Sequence, residues 1–229
     1  LATVIITDIV GYSKLTGDNQ ELALELLAEH DKLILKSIQK FNGRVLVNRG
    51  DGFIVVFKEP ENAVLSSMKI QTSIKTRNKY NSRNRKFNIR IGVHAGEYSE
   101  DKNDFYGESI DTASILEPMA PPGGILISEN LNKLLVLQPN IYSREYKKIP
   151  LNKKRRMTYL IYSNFIDWYL DKNNSIGILD ISDFEKISLN YYKKLDYSSS
   201  LKFSNSIYEL DQSKNINISN LNSICSSLI

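Results

Sequence analysis

Two hydrophobic runs, each meeting an aspartate beside a glycine turn, constrain this chain more than any other feature. The first is Thr3-Val4-Ile5-Ile6-Thr7-Asp8, continued by Ile9-Val10-Gly11-Tyr12. The second is a pair of runs, Arg44 to Asn48 and Gly52 to Phe57, joined by Arg49-Gly50-Asp51. Short β-branched runs read as buried strands. Two of them around a glycine-containing turn read as a hairpin, here with an aspartate at its tip. A carboxylate at the mouth of an apolar strand is costly to desolvate unless it is paired or bound to a cation. A strand-end Asp can also do no more than cap a turn. Two converging carboxylates, however, form a hard-oxygen site of the kind Mg²⁺ uses while it also holds substrate phosphates.

Helical patterns separate the strand-like runs. Asp18 or Asn19 can cap a helix carrying Leu22, Leu26, Leu33, Ile34 and Ile38, which Asn42-Gly43 ends. Pro60 opens a second helix with Ala63, Val64, Met68, Ile70 and Ile74 on one face, followed by a polar, basic stretch from Thr76 to Arg85. Phe87 to His94 reads as a strand, Ala95 to Asp104 as an acidic loop, and Gly107 to Pro118 as the start of a helix. Pro121-Pro122-Gly123-Gly124 is a turn before the strand Ile125 to Ser128. Glu129 to Leu137 suits a short helix, and Ile141 to Ile149 with Met157 to Tyr162 a closing hairpin around a basic loop. The expected class is α+β, a central, mostly antiparallel sheet with helices packed on one face. The expected domain is 1–163. From 164 to 229 the chain turns Ser-, Asn- and Lys-rich, with one possible helix at about 183–195, and reads as an extension or linker.

No apolar run approaches the ~18 residues of a membrane span. Nor does a basic segment followed by an apolar one stand at the start, so no leader is expected. The first residue, Leu1, is compatible with a segment lost upstream. The single cysteine, Cys225, precludes an internal disulfide and suits a cytoplasmic location. A net charge of +4 is too small to indicate a nucleic-acid partner. The basic cluster Lys147, Lys148, Lys153, Lys154, Arg155 and Arg156 lacks interleaved aromatics. It reads either as a solvated loop face or as a loop that meets a triphosphate. His30 and His94 read as structural.

Four segments in register resemble the class III nucleotidyl cyclases. They are Thr7-Asp8-Ile9-Val10-Gly11-Tyr12-Ser13, Gly50-Asp51-Gly52-Phe53, Arg90-Ile91-Gly92-Val93-His94-Ala95-Gly96-Glu97, and Asp104 to Ser114 running on to Pro121 through Ser128. The resemblance implies a ferredoxin-like core, head-to-tail pairing of two such domains, and active sites in the interface. It implies cyclisation of a nucleoside triphosphate with two divalent ions, Mg²⁺ or Mn²⁺. By resemblance Asp8 and Asp51 bridge both ions and the Ile9 carbonyl completes one shell. The amides of Val10, Gly11 and Tyr12 cradle phosphates, and Lys153 or Lys154 meets the triphosphate.

The departures from the family are chemical. The base-selecting position four before Asp51 holds Val47, which cannot hydrogen-bond a base edge. Its partner is present as Asp104, an acceptor suited to an exocyclic amine. Asp111 stands where the family has a ribose-orienting asparagine, and Ile115 where it has an arginine that neutralises the transferring phosphoryl group. Arg49, of the same strand parity as Val47, could supply a substitute cation. Three readings follow: an active but atypical cyclase, the metal-donating subunit of a heterodimer, or a domain that binds nucleotide or a partner without turnover. Two like charges kept close together without cations are unfavourable, which counts against the third. An RNA-binding ferredoxin-like domain would want aromatic platforms on its strands, which read mainly Val, Ile and Leu.

Overall fold

The computed structural model describes residues 1–163 apart from 103, 136, 137, 139, 140, 152 and 153. The possible helix at 183–195, the extension 164–229 and Lys153 lie outside the described residues. Among the described residues, nine strands and five α-helices run in the order β1 (Ala2–Ile9), α1 (Tyr12–Asp18), α2 (Gln20–Lys40), β2 (Arg44–Asn48), β3 (Phe53–Phe57), α3 (Pro60–Lys79), β4 (Ile89–Gly96), β5 (Ser99–Asp101), β6 (Asp104–Tyr106), α4 (Glu108–Met119), β7 (Ile125–Ser128), α5 (Glu129–Leu135), β8 (Tyr142–Leu151) and β9 (Lys154–Tyr162). Seven strands form one sheet in the order β2-β3-β1-β4-β7-β9-β8, and β5 with β6 forms a separate ribbon. Only β4 and β7 pair in parallel among the described pairings. The class is the α+β fold with a central, mostly antiparallel sheet that the sequence implies.

Period-2 burial sets the two faces. Ile5, Ile9, Ile89, Ile91 and Val93 point to one side, where Leu26 and Ile34 of α2, Val64 and Ile70 of α3 and Leu131 of α5 complete the main core. Val4 and Ile6 point to the other side and meet Ala113 of α4. One-face packing therefore holds for α2, α3 and α5, while α4 covers the opposite face. Gly92 makes that possible: a Cβ there would lie 2.4 Å from the Glu117 amide nitrogen.

Local details refine the sequence reading. Asn19, not Asp18, caps α2, accepting from the Leu22 amide at 3.0 Å. The turn α1, invisible to periodicity, precedes it. α3 extends through Lys79, and the segment expected as an acidic loop folds partly into β5 and β6. Most of the basic cluster is strand: Lys147 and Lys148 lie in β8, Lys154, Arg155 and Arg156 in β9.

Candidate functional site

The two aspartates lie at adjacent ends of the sheet because β1 runs beside β3. Ile5 pairs with Val55 and Ile6 with Ile54, and the ladder continues to the hairpin tip, where the Ile9 amide donates to the Asp51 carbonyl at 2.9 Å. The tip is pinned further by the Phe53 amide donating to the Thr7 hydroxyl at 3.0 Å. Gly52 permits this approach: a Cβ there would stand 2.0 Å from the Thr7 carbonyl oxygen. Any larger residue at 52 would push Asp51 off β1.

Beyond β1 the chain reverses at Gly11, whose φ of 75° lies in the left-handed region that glycine adopts freely. No atom would crowd a Cβ at Gly11, so the space over this turn is open. The Val10 amide, expected to face a phosphate, instead donates to the Asn88 carbonyl at 2.9 Å. No described hydrogen bond engages the amides of Gly11 and Tyr12.

Asp8 does not stand alone. It lies opposite Arg90 in the β1–β4 register, and Arg90 Nη2 donates to Asp8 Oδ2 at 2.6 Å. Arg90 Nε lies 3.1 Å from Glu117 Oε1 on α4. Side-chain exposure falls from 29% at Asp8 through 27% at Arg90 to 13% at Glu117, so the row runs from the cleft mouth inward. Burial first, and the Asp8 carboxylate second, push the Glu117 carboxyl up to about 7, against the pull of Arg90 and Arg49. Asp51 adds to the upward push. Asp8, Asp51, Arg49, Arg90 and Glu117 thus share one electrostatic neighbourhood. The sequence analysis missed Glu117. A signal existed: it stands four residues after Ala113, on the buried stripe of α4, where an acid needs a cation.

The remaining expected positions fall apart into two groups. A bulge between Val45 and Val47 turns Leu46 and Val47 together toward the apolar cluster beneath α4. Val47 is half-buried there. Arg49 follows on the exposed hairpin tip, within electrostatic reach of Glu117. The second group is exposed: Asp104 on β6, Asp111 and Ile115 one turn apart on α4, and Lys154 at the start of β9. Within one chain the described geometry sets the backbone of Asp51 against the end of β1 that carries Asp8 and leaves Asp104, Asp111 and Lys154 on the surface.

Of the histidines, His30 stacks on Phe53, ring centroids 5.8 Å apart, and burial lowers its pKa despite Asp31 beside it. His94 Nδ1 lies 2.6 Å from Ser128 Oγ, which also accepts from the Leu131 amide. Burial lowers His94 to about 4, so it stays neutral near pH 7. Both rings are buried.

The sequence profile described as the adenylate and guanylate cyclase catalytic domain matches residues 1–163. The chain belongs to this family. Two curated relatives are similar at 30% identity: the serine/threonine-protein kinase pkn2 of Myxococcus xanthus, over 57% of this chain and 16% of that protein, and the putative adenylate cyclase 3 of Rhizobium meliloti, over 58% and 23%. The chain thus spans less than a quarter of either relative. Among solved structures, the cyclase domain resembles an adenylate/guanylate cyclase/hydrolase from Silicibacter pomeroyi, with TM-score 0.62 and 20% identity over 71% of this chain and 96% of that one. It also resembles the adenylyl cyclase CyaB of P. aeruginosa, with TM-score 0.59 and 21% identity over 70% and 92%. At such identities these two structures speak to the fold alone.

A cyclase site calls for divalent cations. Among the described residues no group of three or more His, Cys, Asp or Glu side chains is arranged to hold one. Two carboxylates at a strand mouth beside an open glycine turn nevertheless fit Mg²⁺ or Mn²⁺, since such ions take one or two protein carboxylates and complete their shells with water and phosphate oxygens.

Proposed function

We propose that this cyclase domain converts a nucleoside triphosphate to a 3′,5′-cyclic nucleotide and diphosphate, and that it is the ion-holding half of a composite site. The 3′-oxygen bonds to the α-phosphorus as the bond to diphosphate breaks, and the 3′-hydroxyl proton leaves. One observation carries the reading: the turn that bears Asp51 is held against the end of β1 that bears Asp8 by the Ile9–Asp51 backbone bond, and Gly52 admits the close approach. Asp8, Asp51 and the Ile9 carbonyl would hold two divalent ions, Mg²⁺ or Mn²⁺. Such ions lower the pKa of the attacking hydroxyl and hold the phosphates. The amides of Gly11 and Tyr12 donate to phosphate oxygens. From the other chain of a pair, Lys154 meets the triphosphate, Asp104 accepts from an exocyclic amine, and Asp111 faces the ribose.

A specific observation favours a heterodimer over a homodimer. Asp111 and Ile115 are both exposed on α4, one turn apart, where the resemblance implies an asparagine and an arginine. A homodimer pairs each ion-holding half with a half that adds a negative charge and lacks the phosphoryl clamp. A complementary cyclase domain restores one full site. No helix among the described residues is long and apolar enough to cross a membrane. We place the domain in the cytoplasm, where its substrate and Mg²⁺ are available.

Calorimetry of nucleotide binding in Mn²⁺ tests the ion site. Asp8→Ala or Asp51→Ala abolishes ion-dependent binding and leaves the thermal transition cooperative. Unchanged binding in either variant removes the site.

A further inference from the structure

Arg90 stands between two carboxylates that it satisfies unequally. Its bond to Asp8 is short, a charge-assisted hydrogen bond at 2.6 Å. Its approach to Glu117 is close at 3.1 Å but misaligned. Arg90 Nε and Glu117 Oε1 are both buried atoms without a hydrogen-bond partner among the described residues. Buried donors and acceptors are rarely left this way without a reason. Both supports are rigid. Arg90 sits in the β1–β4 ladder, and Glu117 sits on the turn of α4 that packs directly against Gly92.

We propose that Arg90 is an internal counter-ion of the ion-free site and is handed from Asp8 to Glu117 when Asp8 takes a divalent cation. This rests on the reading of Asp8 and Asp51 as ion ligands. A dication on Asp8 cannot share that carboxylate with a guanidinium without strong like-charge repulsion. Glu117 offers the displaced guanidinium a carboxylate within reach, with an acceptor atom waiting for a donor. A small rotation of the Arg90 side chain converts the misaligned contact into a full hydrogen bond. Glu117 is then a positioning residue: it holds Arg90 away from the ions and touches neither ion nor substrate. The arrangement also keeps Asp8 neutralised while no ion is bound.

Mn²⁺ binding to the full chain without nucleotide, at a pH about one unit above 7 so that Glu117 is ionised, followed by electron paramagnetic resonance of the free ion, tests this. Glu117→Gln keeps the shape of the side chain and removes its charge, so Arg90 stays on Asp8 and Mn²⁺ binds about 10- to 100-fold more weakly. Adding Arg90→Gln to that variant removes the competitor and cancels the loss. A merely structural role for Glu117 leaves the double variant as weak as Glu117→Gln, and that result overturns the proposal. So does equal affinity of Glu117→Gln and the natural chain. If Glu117→Gln does not fold, Arg90→Gln alone decides: tighter Mn²⁺ binding than the natural chain that persists in high salt supports the handover, and no tightening, or one that high salt abolishes, overturns it. A natural chain that binds no Mn²⁺ overturns the ion site itself, and the handover with it.

Discussion

A homodimer carrying Asp111→Asn and Ile115→Arg turns over nucleoside triphosphate about 10²–10³-fold faster than the natural chain, the usual worth of a group that stabilises transition-state charge. Both positions are exposed on α4 and one turn apart, so the new side chains are free to enter a partner's site. The arginine returns a cation to the transferring phosphoryl group. The asparagine removes a carboxylate that repels the triphosphate and returns a neutral amide to the ribose. Single-turnover measurement in saturating Mn²⁺ separates the chemical step from product release. The gain appears mainly in the rate of that step. An unchanged rate means that other residues already perform these tasks, and the depleted-partner account fails.

The second large effect is on stability. Glu117 titrates near 7 in the folded chain against an ordinary 4.5, and His94 near 4 against an ordinary 6.5. For His94 the unfolded chain binds more protons between those values, so its contribution is present above 6.5 and is lost as pH falls toward 4. For Glu117 the folded chain binds more protons, so its contribution is present below 4.5 and is lost as pH rises through 7. Each displacement is worth about 3 kcal/mol at full extent. Across the shared interval the two oppose each other and nearly cancel. Glu117→Gln removes one side of the balance. The melting temperature of this variant, relative to the natural chain, therefore rises by about 5–10 °C between pH 4.5 and 7. Melting curves in a series of buffers without divalent ions measure it. Parallel pH profiles for the two proteins contradict the burial of an acid at 117.

How much of this was readable beforehand follows from what each signal depends on. β1, the hairpin and the two long helices were legible because their periodicities are local and strong. The tip aspartate was legible because a turn glycine and two apolar runs flank it. α1 was not, since a seven-residue helix opening on Gly11 carries no buried stripe. The face covered by α4 was not, because it depends on Gly92 admitting a helix backbone from far along the chain. The bulge at Val45–Val47 likewise changes which residues share a face without leaving a mark in the alternation. The Asp8–Asp51 pair was visible as two separate aspartates, and the sheet sets them side by side. Glu117 and Arg90 were missed as a pair because each looks ordinary alone: an acid late in a helix and a base early in a strand. Their meaning comes from register, Asp8 opposite Arg90, and from tertiary packing.

The central claim is that this domain performs cyclase chemistry with Asp8 and Asp51. The direct test incubates the purified chain with Mn²⁺ and each of ATP, GTP, CTP and UTP, with Asp51→Ala as the blank, and reads products by mass spectrometry. It is run alone and with a cyclase domain that supplies the asparagine and arginine. A cyclic nucleotide that disappears in the Asp51→Ala sample is the predicted result, strongest in the mixed pair. No cyclic product from any triphosphate in either setting, or a product that survives Asp51→Ala, contradicts it.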